Sequence, residues 1–192
     1  MSALVEIQDI SKIYNPGENE VRALDHISLT IQKGEFVAII GQSGSGKSTL
    51  MNMIGCLDVP TEGTYILNGQ NVSKLSDNEL SDIRNQEIGF IFQGFNLIAN
   101  LTAQENVELP LIYRGVPKKE RHELSVAALK KVGLAHRMDH RPSEMSGGQQ
   151  QRVAIARAIA QAPPVILADE PTGNLDSASS MEILDILKQL HA

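Results

Sequence analysis

Three glycines, a lysine and a serine stand close together in the sequence GQSGSGKS, residues 41–48. Glycines in such a loop let main-chain N–H groups approach phosphate oxygens that side chains would keep away. Lys47 would reach the outer phosphates, Ser48 would bind Mg²⁺, and the following helix would point its positive end at the same charge. The pattern G-x-x-x-x-G-K-[ST] therefore predicts a phosphate-binding loop, with a flexible turn as the alternative. The residues assigned to it are Gly41, Gln42, Ser43, Gly44, Ser45, Gly46, Lys47, Ser48 and Thr49.

Two acidic residues end an apolar run in VILADE, residues 165–170. An apolar strand would deliver Asp169 to the magnesium ion, and Glu170 beside it is suited to polarise an attacking water molecule. On its own such a run is better explained by a structural turn. Downstream of a phosphate-binding loop it favours nucleotide hydrolysis. The sequence contains no N-K-x-D segment of the kind with which GTPases read guanine.

The bulk properties predict one globular domain, or a core with a small appended lobe. The chain has 192 residues, is 42% hydrophobic and carries a formal net charge of −6, so its surface is not built to neutralise nucleic-acid phosphates. Its one cysteine, Cys56, cannot form an internal disulfide, which is typical of a reducing cytosol. No apolar run approaches the roughly 18 residues that cross a bilayer. Membrane action would therefore need a partner that spans the membrane.

Hydrophobic patterning predicts the elements that position the glycine loop. Alternating runs at 4–10 and 23–31 predict two strands with one buried face, separated by a turn-rich segment. The continuous apolar run GEFVAII, residues 34–40, predicts a third strand that leads into the loop. The spacing of four apolar residues after the loop predicts a helix, the four being Leu50, Met53, Ile54 and Leu57.

Turn and capping signals organise the rest of the chain. Short strands are predicted at 63–69, 88–92 and 165–169. Ser76 with Glu79, and Thr102 with Glu105, predict capping boxes at two helix starts. A further helix is predicted from Pro117 to Gly133, so the middle of the chain is expected to form a helical lobe. The last helix is expected to place four apolar residues on one side, namely Ile183, Leu184, Leu187 and Leu190.

The stretches MSGGQQQRVAIARAIA, residues 145–160, and LADEPTGNLD, residues 167–176, identify a family. The chain closely resembles, over its whole length, the nucleotide-binding subunit of ATP-binding cassette (ABC) transporters. The resemblance implies an α/β fold, a P-loop NTPase RecA-like core with an antiparallel β subdomain and an inserted helical subdomain. Residues 1–93 and 160–192 would form the core with the β subdomain, and about 94–145 the helical subdomain, followed by the signature helix.

The resemblance assigns the signature S-G-G-Q to Ser146, Gly147, Gly148 and Gln149. A helix start with a serine hydroxyl and free amides makes an anion site. In the family two subunits pack head to tail, so each ATP lies between one subunit's loop and its partner's signature. A plain helix cap is the alternative for these residues, since Ser and Gln at this spacing also make a capping box.

Further site residues are carried over from the family where the sequence matches. Tyr14 would stack on adenine, although a core position is the simpler interpretation for a lone tyrosine. Gln93 would contact Mg²⁺ and the attacking water, and Asp176 would cross the dimer interface. Four apolar residues would either form a groove that receives a helix of the permease or pack inside the helical lobe, namely Phe95, Leu97, Ile98 and Leu101.

The implied function is an ATPase that drives an integral membrane permease, as a homodimer or with a related cassette closing on two Mg²⁺·ATP. It would lie in the cytoplasm, on the inner face of the membrane, without nucleic acid. The sequence looks most like the macrolide-export and lipoprotein-releasing branch. Soluble ABC ATPases that act on DNA or ribosomes are the alternative, but they carry long insertions or two cassettes, and only residues 94–145 separate Gln93 from Ser146. A regulatory, non-hydrolysing cassette is a third possibility.

One departure from the family pattern concerns the end of the chain. The family has a histidine on a last apolar strand that contacts the γ-phosphate, and His191 follows Glu170 too closely, at the end of a predicted helix, to be that residue. We therefore expect the sequence to be a truncated form of a subunit of about 220–240 residues. In this form it is expected to bind ATP better than it hydrolyses it.

Overall fold

Alternating side chains in the first part of the chain form an antiparallel sheet. In the computed structural model, which describes residues 3–17 and 19–191, strand β1 spans Ala3–Tyr14 and β2 spans Val21–Gln32. Strand β3 (Glu62–Leu67) pairs with the other edge of β1, and the two-residue β4 (Gln70–Asn71) follows it. The strand order is β2-β1-β3-β4. The predicted strands at 4–10, 23–31 and 63–69 are thus confirmed, and so is an antiparallel β subdomain.

Helix α1 (Lys47–Ile54) follows the glycine loop, as predicted. Met53 and Ile54 are fully buried, and the Tyr65 hydroxyl donates to the Ile54 main-chain oxygen at 2.8 Å. The helix ends one turn earlier than the apolar spacing suggests. Leu57 lies beyond it and is 48% exposed.

The predicted strand over 34–40 is wrong. Residues 35–40 belong to none of the strands in the described part of the chain, and Phe36 and Ile40 are 59% and 90% exposed. An apolar run predicts that side chains will be covered, but a strand also needs a neighbouring backbone to accept and donate its hydrogen bonds. Neither of the two sheets formed by residues 3–17 and 19–191 includes this run.

The chain divides into two compact units, the first within residues 1–84 and the second within residues 85–192. Helix α2 (Asp77–Glu87) includes the boundary between the two units. It starts at the predicted capping box, in which Ser76 N–H donates to the Glu79 carboxylate at 2.8 Å. In the second unit, β5 (Ile88–Phe92) and β6 (Val165–Asp169) form a two-stranded parallel sheet. Both strands were predicted. The finer division into core and helical subdomain remains a prediction.

Up to residue 191, the rest of the second unit contains two short 3₁₀ helices (Ala135–Arg137 and Pro142–Glu144) and four α-helices: α3 (Ala103–Tyr113), α4 (Lys118–Lys131), α5 (Gly147–Ile159) and α6 (Ser177–His191). The predicted capping box of Thr102 and Glu105 starts α3, and Gly133, at a φ of 74°, follows the end of α4. Their shared core includes Val107, Leu129 and Ile155, which are 0% exposed. Helices α3 and α4 lie in the segment for which a helical lobe is predicted, and the lobe itself remains a prediction.

The apolar side of α6 is narrower than predicted. Ile183 is buried, Leu187 and Leu190 pack partly against the core, but Leu184 is 37% exposed. Among the helices of residues 3–17 and 19–191, none has both the length and the apolar character needed to span a membrane.

Candidate functional site

The glycine loop takes the backbone shape that its sequence predicts. Gly44 and Gly46 have φ angles of 80° and 85°, in the left-handed region. A Cβ atom on Gly46 would lie 2.5 Å from the main-chain oxygen of Ala23, so two separate constraints require glycine there. Gly46 is the N-cap of α1, and the first turn of that helix carries no acidic residue. The positive end of α1 is therefore available to an anion.

Lys47 extends back over the loop that precedes it. Its Nζ donates to the main-chain oxygens of Gly41 at 2.8 Å and Gln42 at 2.6 Å. A Cβ atom on Gly41 would lie 2.8 Å from Ser45 Oγ, so a larger residue at position 41 would crowd the loop. The ammonium group and the start of α1 thus place positive charge beside the loop, which is the charge that phosphates require.

Tyr14 lies at the end of β1 and is held by a charged pair. Its hydroxyl donates to Asp58 Oδ2 at 3.0 Å, and Lys12 Nζ donates to Asp58 Oδ1 at 2.6 Å. Lys12 also lies 5.1 Å from the centroid of the Tyr14 ring. Burial and the Asp58 hydrogen bond raise the pKa of Tyr14, so its hydroxyl stays protonated. The ring is partly buried and fixed in orientation, which suits a stacking platform as well as a packing role.

The acidic residues follow a parallel strand pair. Phe92 pairs with Asp169 in the β5–β6 register, so Gln93 and Glu170 begin the loops at the carboxyl ends of two neighbouring strands. Ligands of open α/β sheets bind at that edge. Asp169 and Glu170 are both exposed. The structure therefore places the predicted residues Gln93, Asp169 and Glu170 at the ends of two neighbouring strands.

Gln93 is hydrogen-bonded to the loop that follows β6. Asn174 Nδ2 donates to the Gln93 main-chain oxygen at 3.1 Å, and Gln93 Nε2 lies 3.4 Å from Asn174 Oδ1. A Cβ atom on Gly173 would come within 2.5 Å of Gln93 Nε2. Asn174 lies within LADEPTGNLD, and the sequence alone predicts no role for it. Only its contact with Gln93 distinguishes it from a turn residue.

The signature residues form the start of α5. Ser146 is the N-cap, its hydroxyl accepts from Gln149 N–H at 3.3 Å, and the Gln149 side chain accepts from Ser146 N–H at 3.0 Å. The capping-box alternative is therefore present. It does not exclude an anion site, since the first turn of α5 holds no acid and Ser146 remains exposed. Gly148 is buried, and a Cβ atom there would lie 2.9 Å from Ser179 Oγ.

Asp176 starts α6. Ser179 N–H donates to Asp176 Oδ1 at 3.0 Å, and the Ser179 hydroxyl donates to Oδ2 at 2.7 Å. These bonds lower the pKa of Asp176, so the carboxylate is ionised at neutral pH. The structure thus gives Asp176 a capping role, next to the helix that carries the signature.

Arg157 and Gln151 on α5 hold two loops and were not predicted from the sequence. The Arg157 guanidinium donates to the main-chain oxygens of Phe95 and Asn96, whose φ angles are 60° and 51°. Gln151 donates to the Pro171 main-chain oxygen. The stretch MSGGQQQRVAIARAIA contains other glutamines and another arginine, so residue type alone does not single out Gln151 or Arg157. Their partners lie far away in sequence, which no local pattern reveals.

The predicted groove residues are mixed in exposure. Leu97 packs against the core, whereas Ile98 is 48% exposed.

The predicted site residues are distributed over the two units. Tyr14 and the loop with its helix start belong to the first unit, and the others to the second. Within each unit, the geometry is that described above.

Comparisons with known proteins agree on one family. The sequence profile described as "ABC transporter" matches residues 24–173. An uncharacterised ABC transporter ATP-binding protein of Thermotoga maritima is 54% identical over 191 residues, which are 100% of this chain and 82% of that protein. The macrolide export ATP-binding/permease protein MacB of Hyphomonas neptunium is 56% identical over 98% of this chain. The chain spans only 29% of the length of that relative.

A solved structure has the same fold. It is described as the dimeric structure of a post-hydrolysis state of an ATP-binding cassette bound to ADP and Pi. The TM-score is 0.86 at 49% sequence identity, over 97% of this chain and 82% of the other.

Proposed function

Because the chain belongs to the ABC transporter family, we propose that it hydrolyses ATP with Mg²⁺ and transmits the resulting motion to a membrane permease. It has the fold of the family's ATP-binding cassette. One observation in the structure carries the proposal: Lys47 Nζ lies against the carbonyl oxygens of its own glycine loop, at the unneutralised start of α1. An ammonium group and a helix start are the groups that would receive the phosphates of a nucleotide.

The phosphates would be bound by the loop amides, by Lys47 and by Thr49 at the helix start. Tyr14 would support the adenine, because its ring is held in one orientation by Asp58. Glu170 would orient the attacking water, with Gln93 contributing from the neighbouring strand end. Positioning and electrostatics of this kind account for most of the catalysis in phosphoryl transfer.

The residues present fit a magnesium ion. A hydroxyl, an amide oxygen and a carboxylate are the hard oxygen donors that Mg²⁺ prefers, and they are supplied by Ser48, Gln93 and Asp169. The exposed Asp169 carboxylate and the exposed Ser48 keep these donors accessible. When bound, the ion neutralises charge on the phosphate oxygens. Hydrolysis is expected to stop with EDTA and to return with excess Mg²⁺.

Two subunits would share two nucleotides. The start of α5, with Ser146, Gly147, Gly148 and Gln149, would contact the γ-phosphate held by the partner, and Asp176 would lie at the interface. The solved relative described as dimeric and bound to ADP and Pi supports this arrangement. We propose a homodimer, and a pair formed with a related cassette is the alternative.

The permease would hold the cassette at the cytoplasmic face of the membrane. The relative named as a macrolide export ATP-binding/permease protein supports such a partner and the export direction. Purification of the full-length protein from native membranes should therefore recover an integral membrane protein. Recovery of ribosomes or DNA instead would refute the transporter proposal.

The decisive experiment is Glu170→Gln in the full-length protein. The variant should bind ATP, lose hydrolysis and accumulate as a dimer, because the water is no longer oriented while the phosphate contacts remain. Light scattering after gel filtration with saturating Mg²⁺·ATP measures the mass. Glu62→Gln, at an exposed position of β3, is the matched control and should behave as the wild type. A Glu170→Gln protein that stays monomeric would refute the shared-nucleotide arrangement.

A further inference from the structure

We propose that Gln151 is a positioning residue for Glu170, a role that rests on the proposed function of Glu170 in orienting water. Gln151 Nε2 donates to the main-chain oxygen of Pro171 at 2.7 Å. Pro171 directly follows Glu170, and its main-chain oxygen belongs to the peptide unit between Pro171 and Thr172. The hydrogen bond from Gln151 therefore fixes the second peptide unit after Glu170, inside the turn that the Gly173 N–H bond to the Glu170 oxygen closes. The direction of the Glu170 side chain depends on the conformation of that turn.

Glu170 has a backbone conformation that needs support. Its φ is 41°, in the left-handed region, where a residue with a Cβ atom is strained. The following proline restricts Glu170 further, since its ring disfavours compact conformations of the preceding residue. Such a conformation persists only where surrounding contacts determine it. One contact closes the turn itself, from Gly173 N–H to the Glu170 oxygen at 2.9 Å.

Gln151 supplies the support from outside the turn. Its side chain is 0% exposed, and it projects from the second turn of α5, a helix whose neighbouring residues Val153, Ala154 and Ile155 are also 0% exposed. A buried hydrogen bond from a rigid helix is directional, and its loss leaves a polar group unpaired. We therefore expect that loss of the Gln151 amide lets the turn at Glu170 adopt other conformations. In these conformations the Glu170 carboxylate no longer has the direction needed to orient the attacking water.

The test is Gln151→Met in the full-length protein, since methionine is unbranched and of similar length but has no N–H to donate. At a temperature where circular dichroism shows both proteins folded, kcat for ATP should fall about tenfold, which corresponds to about 1.4 kcal/mol. KM, and the affinity for a non-hydrolysable imido analogue of ATP, should stay within about twofold, because phosphate contacts do not involve this turn. An unchanged kcat would overturn the proposal.

Gln150→Met is the matched control. Gln150 is the neighbouring residue on α5 and also donates from Nε2 to a main-chain oxygen, that of Met145 at 3.2 Å. The same chemical change thus removes the same kind of bond away from the Glu170 turn. Turnover should stay within about twofold of wild type. An equal loss in both variants would show a general effect on α5 and would overturn the proposal.

A double variant separates positioning from folding. If Gln151 acts through Glu170, Gln151→Met should not lower the residual turnover of Glu170→Gln any further. A full additional tenfold loss would overturn the proposal. Should Gln151→Met fail to fold, Gln151→Leu also lacks an N–H and adds no charge at this buried position, and it should show the same loss of kcat with unchanged KM. Wild-type turnover in Glu170→Gln alone would instead refute the proposed function.

Discussion

Lys47 Nζ lies 2.6 Å from the main-chain oxygen of Gln42, five residues earlier in the same loop. The ammonium group is thereby held over the glycine loop, with a second bond to Gly41. Two carbonyl oxygens are weaker partners for a cation than the phosphate oxygens of a nucleotide. Binding of ATP should therefore exchange these bonds for stronger ones at little reorganisation of the side chain.

Replacement of Lys47 tests this exchange. Lys47→Met should reduce ATP turnover by about 10²–10³-fold, the effect of removing one preorganised donor to a developing charge. Phosphate release in the full-length protein is the measurement. Lys33→Met, at an exposed turn position, should leave turnover unchanged. Turnover of Lys47→Met within about twofold of wild type would show that the loop does not hold the reacting phosphates.

A comparison of two glycines tests the loop geometry. Gly44 and Gly46 have nearly the same φ, but a Cβ atom at Gly44 would meet nothing within 4 Å, whereas at Gly46 it would lie 2.5 Å from the Ala23 oxygen. Gly44→Ala should lower the free energy of unfolding by about 1–2 kcal/mol through backbone strain alone. Gly46→Ala should lower it by about 1–3 kcal/mol more, because of the clash. Urea denaturation measures both, and equal losses would contradict the described packing.

Replacement of Tyr14 tests whether its ring stacks on adenine or only packs within the protein. Tyr14→Ala should weaken ADP binding by about 1–3 kcal/mol, the range for a base on an aromatic face. Tyr14→Phe keeps the ring and loses only the hydrogen bond to Asp58, so it should bind ADP nearly as the wild type does. Calorimetric titration with ADP is the measurement. Unchanged binding in Tyr14→Ala, with reduced thermal stability, would assign the ring to packing only.

Asp176 should make stability depend on acid pH. Its pKa is lowered in the folded protein by the Ser179 hydrogen bonds, so the ionised form contributes stability above the unfolded pKa of about 3.9. That contribution should disappear as the pH falls through the lower, folded pKa. Asp176→Asn has no such titration and is the isosteric control. The difference in Tm between the two proteins should shrink with falling pH, and a constant difference would contradict the assigned bonds.

Much of the fold could be predicted from local patterns. Alternation predicted β1 and β2, the spacing of serine or threonine with glutamate or glutamine predicted the starts of α2, α3 and α5, and GQSGSGKS predicted a loop that ends at a helix start. These features depend on interactions between residues a few positions apart. The sequence therefore contains them without reference to the rest of the molecule. The roles of the site residues remain predictions.

Only the tertiary structure decided which distant groups meet. The run at 34–40 has the composition of a strand, but pairing depends on a neighbour that the run itself does not specify. The bonds of Tyr14 to Asp58, of Arg157 to Phe95 and of Gln151 to Pro171 join residues far apart in the chain. Each arises because whole elements pack with a particular register and orientation. The sequence alone determined the chemical groups and their local supports, and packing determined where those groups point.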